Sequence, residues 1–303
     1  MHPTPLGRIA FNPLERRFFS NISLAVSGML EVFKKLWADS WGPRTEHVMR
    51  NALLALAQQP NATLADVPRL LNDKTFRKRV AEEAVNDEVR SFWLDEFQRY
   101  SPAFRSVVIA PIQNKVGAFL ADPILNAILT RTKSSFDLRQ VMDQGKILLV
   151  NLAKGKIGDD PAALLGALLV TMIGLAGLSR ADSAQEERRR SFFVYLDEFH
   201  TFTTLSTATM LSELRKYGVG LILAHQYLTQ LDREVRDAVL GNTGTIITFR
   251  LGAADAQILA KEFEPELTAL DLTSLPNHQI YLKLLVNGEV TRPFSARALR
   301  LNR

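Results

Sequence analysis

The clearest chemical pattern in the sequence is FFVYLDEF, Phe192 to Phe199. An apolar run followed by Asp197 and Glu198 predicts a core strand with two carboxylates at its C-terminal end, where open α/β sheets bind ligands. A carboxylate in that place holds magnesium, directly or through water, and an adjacent glutamate orients the water that attacks a γ-phosphate. This is the form of a Walker B element. The plainer alternative is a solvated strand end, and the motif alone does not separate the two. One strand further on, LILAHQ puts Gln226 at the same edge, where an amide can hydrogen-bond a γ-phosphate or its water. Between them, SELRKYGVG sets Arg215 and Lys216 in the last turn of a helix that ends at Gly218. Their plainer role is pairing with the helix dipole. The chemical role is an arginine presented to a neighbouring subunit's phosphates.

Other chemistries are excluded or weakly supported. Cysteine is absent, which removes disulfides, thiolate nucleophiles and cysteine-ligated metals. The histidines, at positions 2, 47, 200, 225 and 278, lack metal-ligand spacing. A formal net charge of +5 permits nucleic-acid or anionic-membrane partners without demanding either. Two basic groups stand out: Lys74, Arg77, Lys78 and Arg79, and the acid-free C-terminal set Arg292, Arg297, Arg300 and Arg303. Each is either a solvated face or a contact to a DNA backbone, which needs cations but no fixed motif.

The elements that must position these residues fall into two textures. From about Thr45 to Leu129 the pattern is helical, with a Thr63-x-x-Asp66 capping box and an aromatic stripe at Phe92, Trp93 and Phe97. From Gly145 onward, apolar runs alternate with helix-length segments: KILLVNL, FFVYLDE, LILAHQ and TIITFR. That alternation predicts a mostly parallel sheet covered by helices. Asn287-Gly288 between two strand-like runs predicts an antiparallel hairpin. Ala162 to Leu178 is uncharged for 17 residues, the lower limit for a membrane span. Asp159, Asp160 and Pro161 ahead of it, with Gly166, Gly174 and Gly177 within it, favour a buried helix packed on the sheet.

Several blocks together resemble the HerA/FtsK-like ring ATPases, and within them the TraG/TraD-type coupling proteins of type IV secretion. They are FNPLE, WGPRTEHVMRNALLAL, ATLADVPRLLND, GKILLVNLAKGKIG, FFVYLDEFHTF, ELRKYGVGLILAHQ and TGTIITFRLGAADAQILAKEF. The resemblance implies an α/β fold, a RecA-like P-loop NTPase core with an inserted all-α domain. Residues 1–42 would start the motor, residues 43–140 form the helical lobe, and residues 141–303 carry the ATPase core with Walker B and the terminal hairpin. It implies ATP and Mg2+ as cofactors, with Asp197 and Glu198 as Walker B, Gln226 as γ-phosphate sensor, and Arg215 or Arg250 as the trans-acting finger. The implied partners are DNA, like subunits in a ring of six, and relaxosome or secretion-channel proteins. The implied location is the cytoplasmic face of a bacterial inner membrane, with no transmembrane helix in this chain.

One departure is large. The phosphate-cradling loop G-x-x-x-x-G-K-[ST] occurs nowhere in the sequence. Gly145-Lys146 and Gly155-Lys156 are each followed by isoleucine, at Ile147 and Ile157. The expectation is therefore a motor with its phosphate-loop strand missing, because the chain is truncated, split between two genes or read from a late start codon, and inactive unless that segment is supplied in cis or in trans. A HerA-type DNA-repair translocase and a non-hydrolysing docking module for DNA-processing proteins are the rival expectations.

Overall fold

The computed structural model describes residues 9–182, 189–204 and 213–299, and the chain divides into two compact units, Met1–Leu223 and Ala224–Arg303. In the first unit, α1 (Ile22–Leu36) begins where the Asn21 side chain accepts the Leu24 N–H at 3.0 Å. Its apolar face, including Ala25, Met29 and Phe33, is buried. Three helices follow: α2 (Pro43–Leu56), α3 (Asp66–Asn72) and α4 (Lys74–Glu82). The Thr63/Asp66 signal forms a turn ahead of α3, with the Thr63 N–H donating to the Asp66 carboxylate at 2.9 Å. The aromatic stripe packs inward: Trp93 is fully buried, and its Nε1 donates to the Asn51 carbonyl at 3.2 Å. Next come α5 (Pro102–Ala121), α6 (Pro123–Leu129) and α7 (Leu138–Asp143), all sharing one hydrophobic core with α1 and α2.

The long uncharged run becomes α8 (Asp159–Leu178), which lies along α1. By length and composition it could cross a membrane, yet 72% of its most apolar stretch is buried within the protein. Its glycines allow close approach. A Cβ at Gly166 would lie 2.2 Å from the Phe202 ring, so α8 and the segment after the acidic strand meet without a side chain between them. Arg180, just past α8 and only 1% exposed, donates to Asp143 and to the carbonyls of Tyr217 and Arg190. It thereby ties the helix end to the starts of two strands.

Those strands are β1 (Phe192–Leu196) and β2 (Val219–Leu223), paired in parallel from Phe192 opposite Val219 to Leu196 opposite Leu223. Alternation along β1 buries Val194 and leaves Phe193 59% and Tyr195 74% exposed on the other face. The parallel part of the sheet is this pair. Residues 146–152, predicted as a strand, form neither strand nor helix, and Ile147 is 88% exposed. A strand needs a neighbour for its backbone groups, and among the described residues β1 and β2 pair only with each other. The inner face of that segment is still used: Leu148 and Leu152 line an apolar hollow with Leu165 and Leu169 of α8.

The second unit holds α9 (Arg233–Asn242), β3 (Ile246–Thr248), α10 (Ala253–Phe263), β4 (Gln279–Lys283), the short pair β5 (Leu285–Val286) and β6 (Glu289–Val290), and β7 (Phe294–Arg297). Strands β3, β4 and β7 form an antiparallel sheet in the order β3-β4-β7. The predicted hairpin joins β5 to β6, with Asn287 at φ 52° and Gly288 at φ 87°, the two positive values that such a tight turn requires.

Candidate functional site

Strand β1 stops at Leu196, and the chain turns sharply through the acidic pair. Asp197 is exposed, and its carboxylate accepts the Glu198 N–H at 3.1 Å. Glu198 sits in left-handed backbone, at φ 52° and ψ 46°. A residue with a Cβ holds such a conformation at a cost of about 1 kcal/mol or more, and only where its surroundings impose it. The surroundings are a short 3-10 turn, Phe199–Thr201, anchored by the fully buried Phe199. The Thr201 N–H donates to the Glu198 carbonyl at 3.0 Å, and the Thr203 N–H to the Phe199 carbonyl at 3.0 Å.

Three basic groups approach this turn. His200 Nδ1 lies 3.4 Å from a Glu198 carboxylate oxygen. Lys154 Nζ lies 3.4 Å from Thr201 Oγ1. Lys35, from the last turn of α1, donates to the carbonyls of His200 and Thr203, each at 2.6 Å. Burial, more than anything else, holds His200 below its ordinary pKa; Lys154 and Lys35 push the same way, against the upward pull of Glu198. The imidazole is therefore mostly neutral at pH 7 beside the Glu198 carboxyl group. Sequence reasoning missed Lys35 and Lys154. Lys34-Lys35 at a helix end looks like ordinary dipole pairing, and Lys154, in GKILLVNLAKGKIG, carries no catalytic motif of its own.

As a metal site the pair is incomplete alone. Among the described residues, no group of three or more histidines and carboxylates could hold an ion. A single exposed aspartate suits magnesium that arrives with a nucleotide, because that ion keeps most of its shell for phosphate and water. The start of α8, which follows the Lys154–Gly158 segment, makes a poor phosphate cradle: Asp159 and Asp160 occupy its first turn.

The other predicted residues lie apart from the acidic pair or in the second unit. Arg215 is exposed and precedes β2, so it sits at the opposite end of the parallel pair from Asp197, about 17 Å away by the strand rise. Gln226 and Arg250 belong to the second unit and are both exposed. The chain after Gln226 is pinned there by the buried Asp255, whose carboxylate accepts the Leu228 and Thr229 N–H groups at 3.0 and 3.3 Å.

The predicted DNA-facing cluster needs one correction. Lys74, Lys78 and Arg79 are exposed on α4. Arg77 turns inward and is 4% exposed, donating to the Leu70 and Leu71 carbonyls at 3.1 and 3.0 Å with its guanidinium over the Phe97 ring. Helical geometry is the reason: Arg77 shares the buried face with Phe76 and Val80 rather than the face of its basic neighbours.

A parallel strand pair under a buried helix, with paired acids at the strand end and an all-helical lobe beside it, is a partial α/β arrangement. The family model for the type IV secretion-system coupling protein DNA-binding domain matches residues 29–287. The chain belongs to that family and is a coupling protein of the TraG/TraD type. Among solved structures it is similar to the bacterial conjugative coupling protein TrwBdeltaN70 in its unbound monoclinic form. The TM-score is 0.60 at 15% identity, covering 98% of this chain and 74% of that one. The plasmid coupling protein TrwB in complex with ADP and Mg2+ gives a TM-score of 0.60 at 16% identity, covering 96% and 71%. VirB4 of Thermoanaerobacter pseudethanolicus gives 0.59 at 15%, covering 96% and 74%. At such identities these likenesses show the RecA-like fold alone. Among curated proteins none matches the sequence significantly.

Proposed function

We propose that the chain is part of an ATP-driven motor that moves DNA in conjugative type IV secretion, with Asp197 and Glu198 on the metal and water side of the nucleotide. The observation that carries this reading is the Asp197-Glu198 pair at the C-terminal end of a parallel core strand, with Glu198 held in left-handed backbone 3.4 Å from the His200 ring. In that place Glu198 would orient the attacking water and accept a hydrogen bond from it. Asp197 would hold magnesium through water, and that ion supplies charge neutralisation on the phosphates when bound. TrwB, a protein of like fold, has been crystallised with ADP and Mg2+, which supports a nucleotide of that class here.

In this reading Gln226 senses the γ-phosphate, and Arg215 or Arg250 serves as the finger toward a neighbouring subunit in a ring of six. A trans role suits Arg215, which lies at the opposite end of the strand pair from its own Asp197. The lobe of residues 43–140 offers Lys74, Lys78 and Arg79 to DNA, and relaxosome or channel proteins are the further partners, at the cytoplasmic face of a bacterial inner membrane. A phosphate-cradling motif is not among the 303 residues, so the assigned site needs that cradle from another polypeptide segment.

The test is Glu198→Gln in an assembly that supplies the cradle. ATP binding should persist while hydrolysis falls about 100-fold or more. Unchanged turnover would remove Glu198 from the reaction. A parent assembly that binds ATP but never turns it over would instead favour the docking-module reading.

A further inference from the structure

The turn that carries Glu198 is held from two sides. On one, Phe202 lies against the bare backbone of Gly166 in α8. On the other, the Lys35 ammonium donates to two carbonyls of the turn, those of His200 and Thr203, each at 2.6 Å. Carbonyls at the end of a 3-10 turn have no partner within it, and a charged donor makes stronger bonds to them than a neutral one. Because the Thr201 N–H closes back onto the Glu198 carbonyl, fixing this turn also fixes the left-handed backbone of Glu198.

Lys35 stands at the end of α1, where the same helix grips the helical lobe. Phe33 stacks on Trp37 with ring centroids 4.7 Å apart, and Trp37 stacks on Phe119 of α5 at 6.3 Å. One helix end therefore touches the Glu198 turn through an ammonium and the lobe through an aromatic stack.

We propose that Lys35 is a positioning residue that ties the Glu198 turn to the helical lobe, so that displacement of α5 is felt at the turn through the end of α1. The functional meaning of this tie rests on the motor reading of Glu198, whereas the tie itself is a property of the folded chain. Coupling of this kind is established by a double-mutant cycle, not by adjacency.

The experiment is amide hydrogen exchange of residues 201–203 on the 303-residue chain, with no nucleotide. Lys35→Met should speed exchange there at least tenfold while amides of α8 stay protected, and Lys35→Arg should restore most of the protection. Phe119→Ala should also speed exchange at residues 201–203 in the parent but add little in the Lys35→Met background. Should Lys35→Met unfold the chain, the same cycle is run with Lys35→Gln, which keeps one donor group. Unchanged exchange in the folded lysine variant, or an equal effect of Phe119→Ala with and without Lys35, would overturn the proposal. Neither outcome depends on ATP turnover, so a failure of Glu198→Gln to stop hydrolysis would reject the motor role and leave the tie standing.

Discussion

His200 Nδ1 lies 3.4 Å from a Glu198 carboxylate oxygen, yet the ring is held below its ordinary pKa because burial outweighs that neighbour's attraction. The consequence is a pH dependence of defined sign. From the ordinary value of 6.5 downward, the unfolded chain binds a proton that the folded chain resists. Stability is therefore fully present above about pH 6.5 and is lost as pH falls toward the lower folded value. His200→Gln should flatten the fall in melting temperature between pH 7.5 and 5.5. A variant that loses as much stability as the parent over that interval would show that another group titrates.

How far the sequence foretold the structure depends on whether a feature is local. Phe192–Leu196 announces itself because a buried parallel strand is written as a continuous apolar run. Asn287-Gly288 does so because only a few residue pairs accept two positive φ values. The segment 146–152 carries the same apolar signature as β1, but strand pairing is a property of the neighbour, and no local pattern contains it. Arg77 looked like its basic neighbours because a charge run does not say which helical face each residue occupies. Lys35 escaped notice for a related reason: its acceptors, the carbonyls of His200 and Thr203, lie more than 160 residues away.

The inward turn of Arg77 splits the lobe cluster into two behaviours. Replacing Lys74, Lys78 and Arg79 with alanine should weaken DNA binding for all sequences alike, and should flatten the slope of log affinity against log salt by about 2 to 3. Arg77→Met should leave that slope alone and lower stability by about 2 kcal/mol, through two lost charged hydrogen bonds. Fluorescence anisotropy across a salt series and urea denaturation measure the two effects. A salt slope that moves with Arg77 but not with the other three would reverse the assignment.

An uncovered face of the sheet predicts self-association. Phe193 and Tyr195 on β1 and Ile147 in the segment that precedes α8 are all exposed, and an apolar parallel sheet is ordinarily covered on both faces. The chain should therefore sediment as a concentration-dependent mixture in the micromolar range. Ile147→Ser together with Tyr195→Ser should shift it toward monomer without lowering its melting temperature. Sedimentation velocity of parent and variant decides it, and an unshifted distribution would place the association surface elsewhere.

The last expectation concerns the phosphates. Asp197, exposed at the strand end, repels a nucleotide's γ-phosphate unless cations stand between them. The described residues offer two lysines near the turn, Lys35 and Lys154, but Lys35 is engaged by two carbonyls. The start of α8, which a phosphate would otherwise approach, carries Asp159 and Asp160. Backbone N–H groups arranged around a phosphate, which do most of the work in a phosphate loop, have no counterpart in the sequence motifs of the chain. The purified 303-residue chain should therefore bind ATP weakly and turn none over, with or without magnesium. Addition of a polypeptide segment that carries a phosphate loop, fused or separate, should restore magnesium-dependent turnover that Glu198→Gln then abolishes. Steady hydrolysis by the chain alone, with an ordinary magnesium dependence, would mean that these residues build a phosphate cradle of a different kind, and the site would have to be redrawn around it.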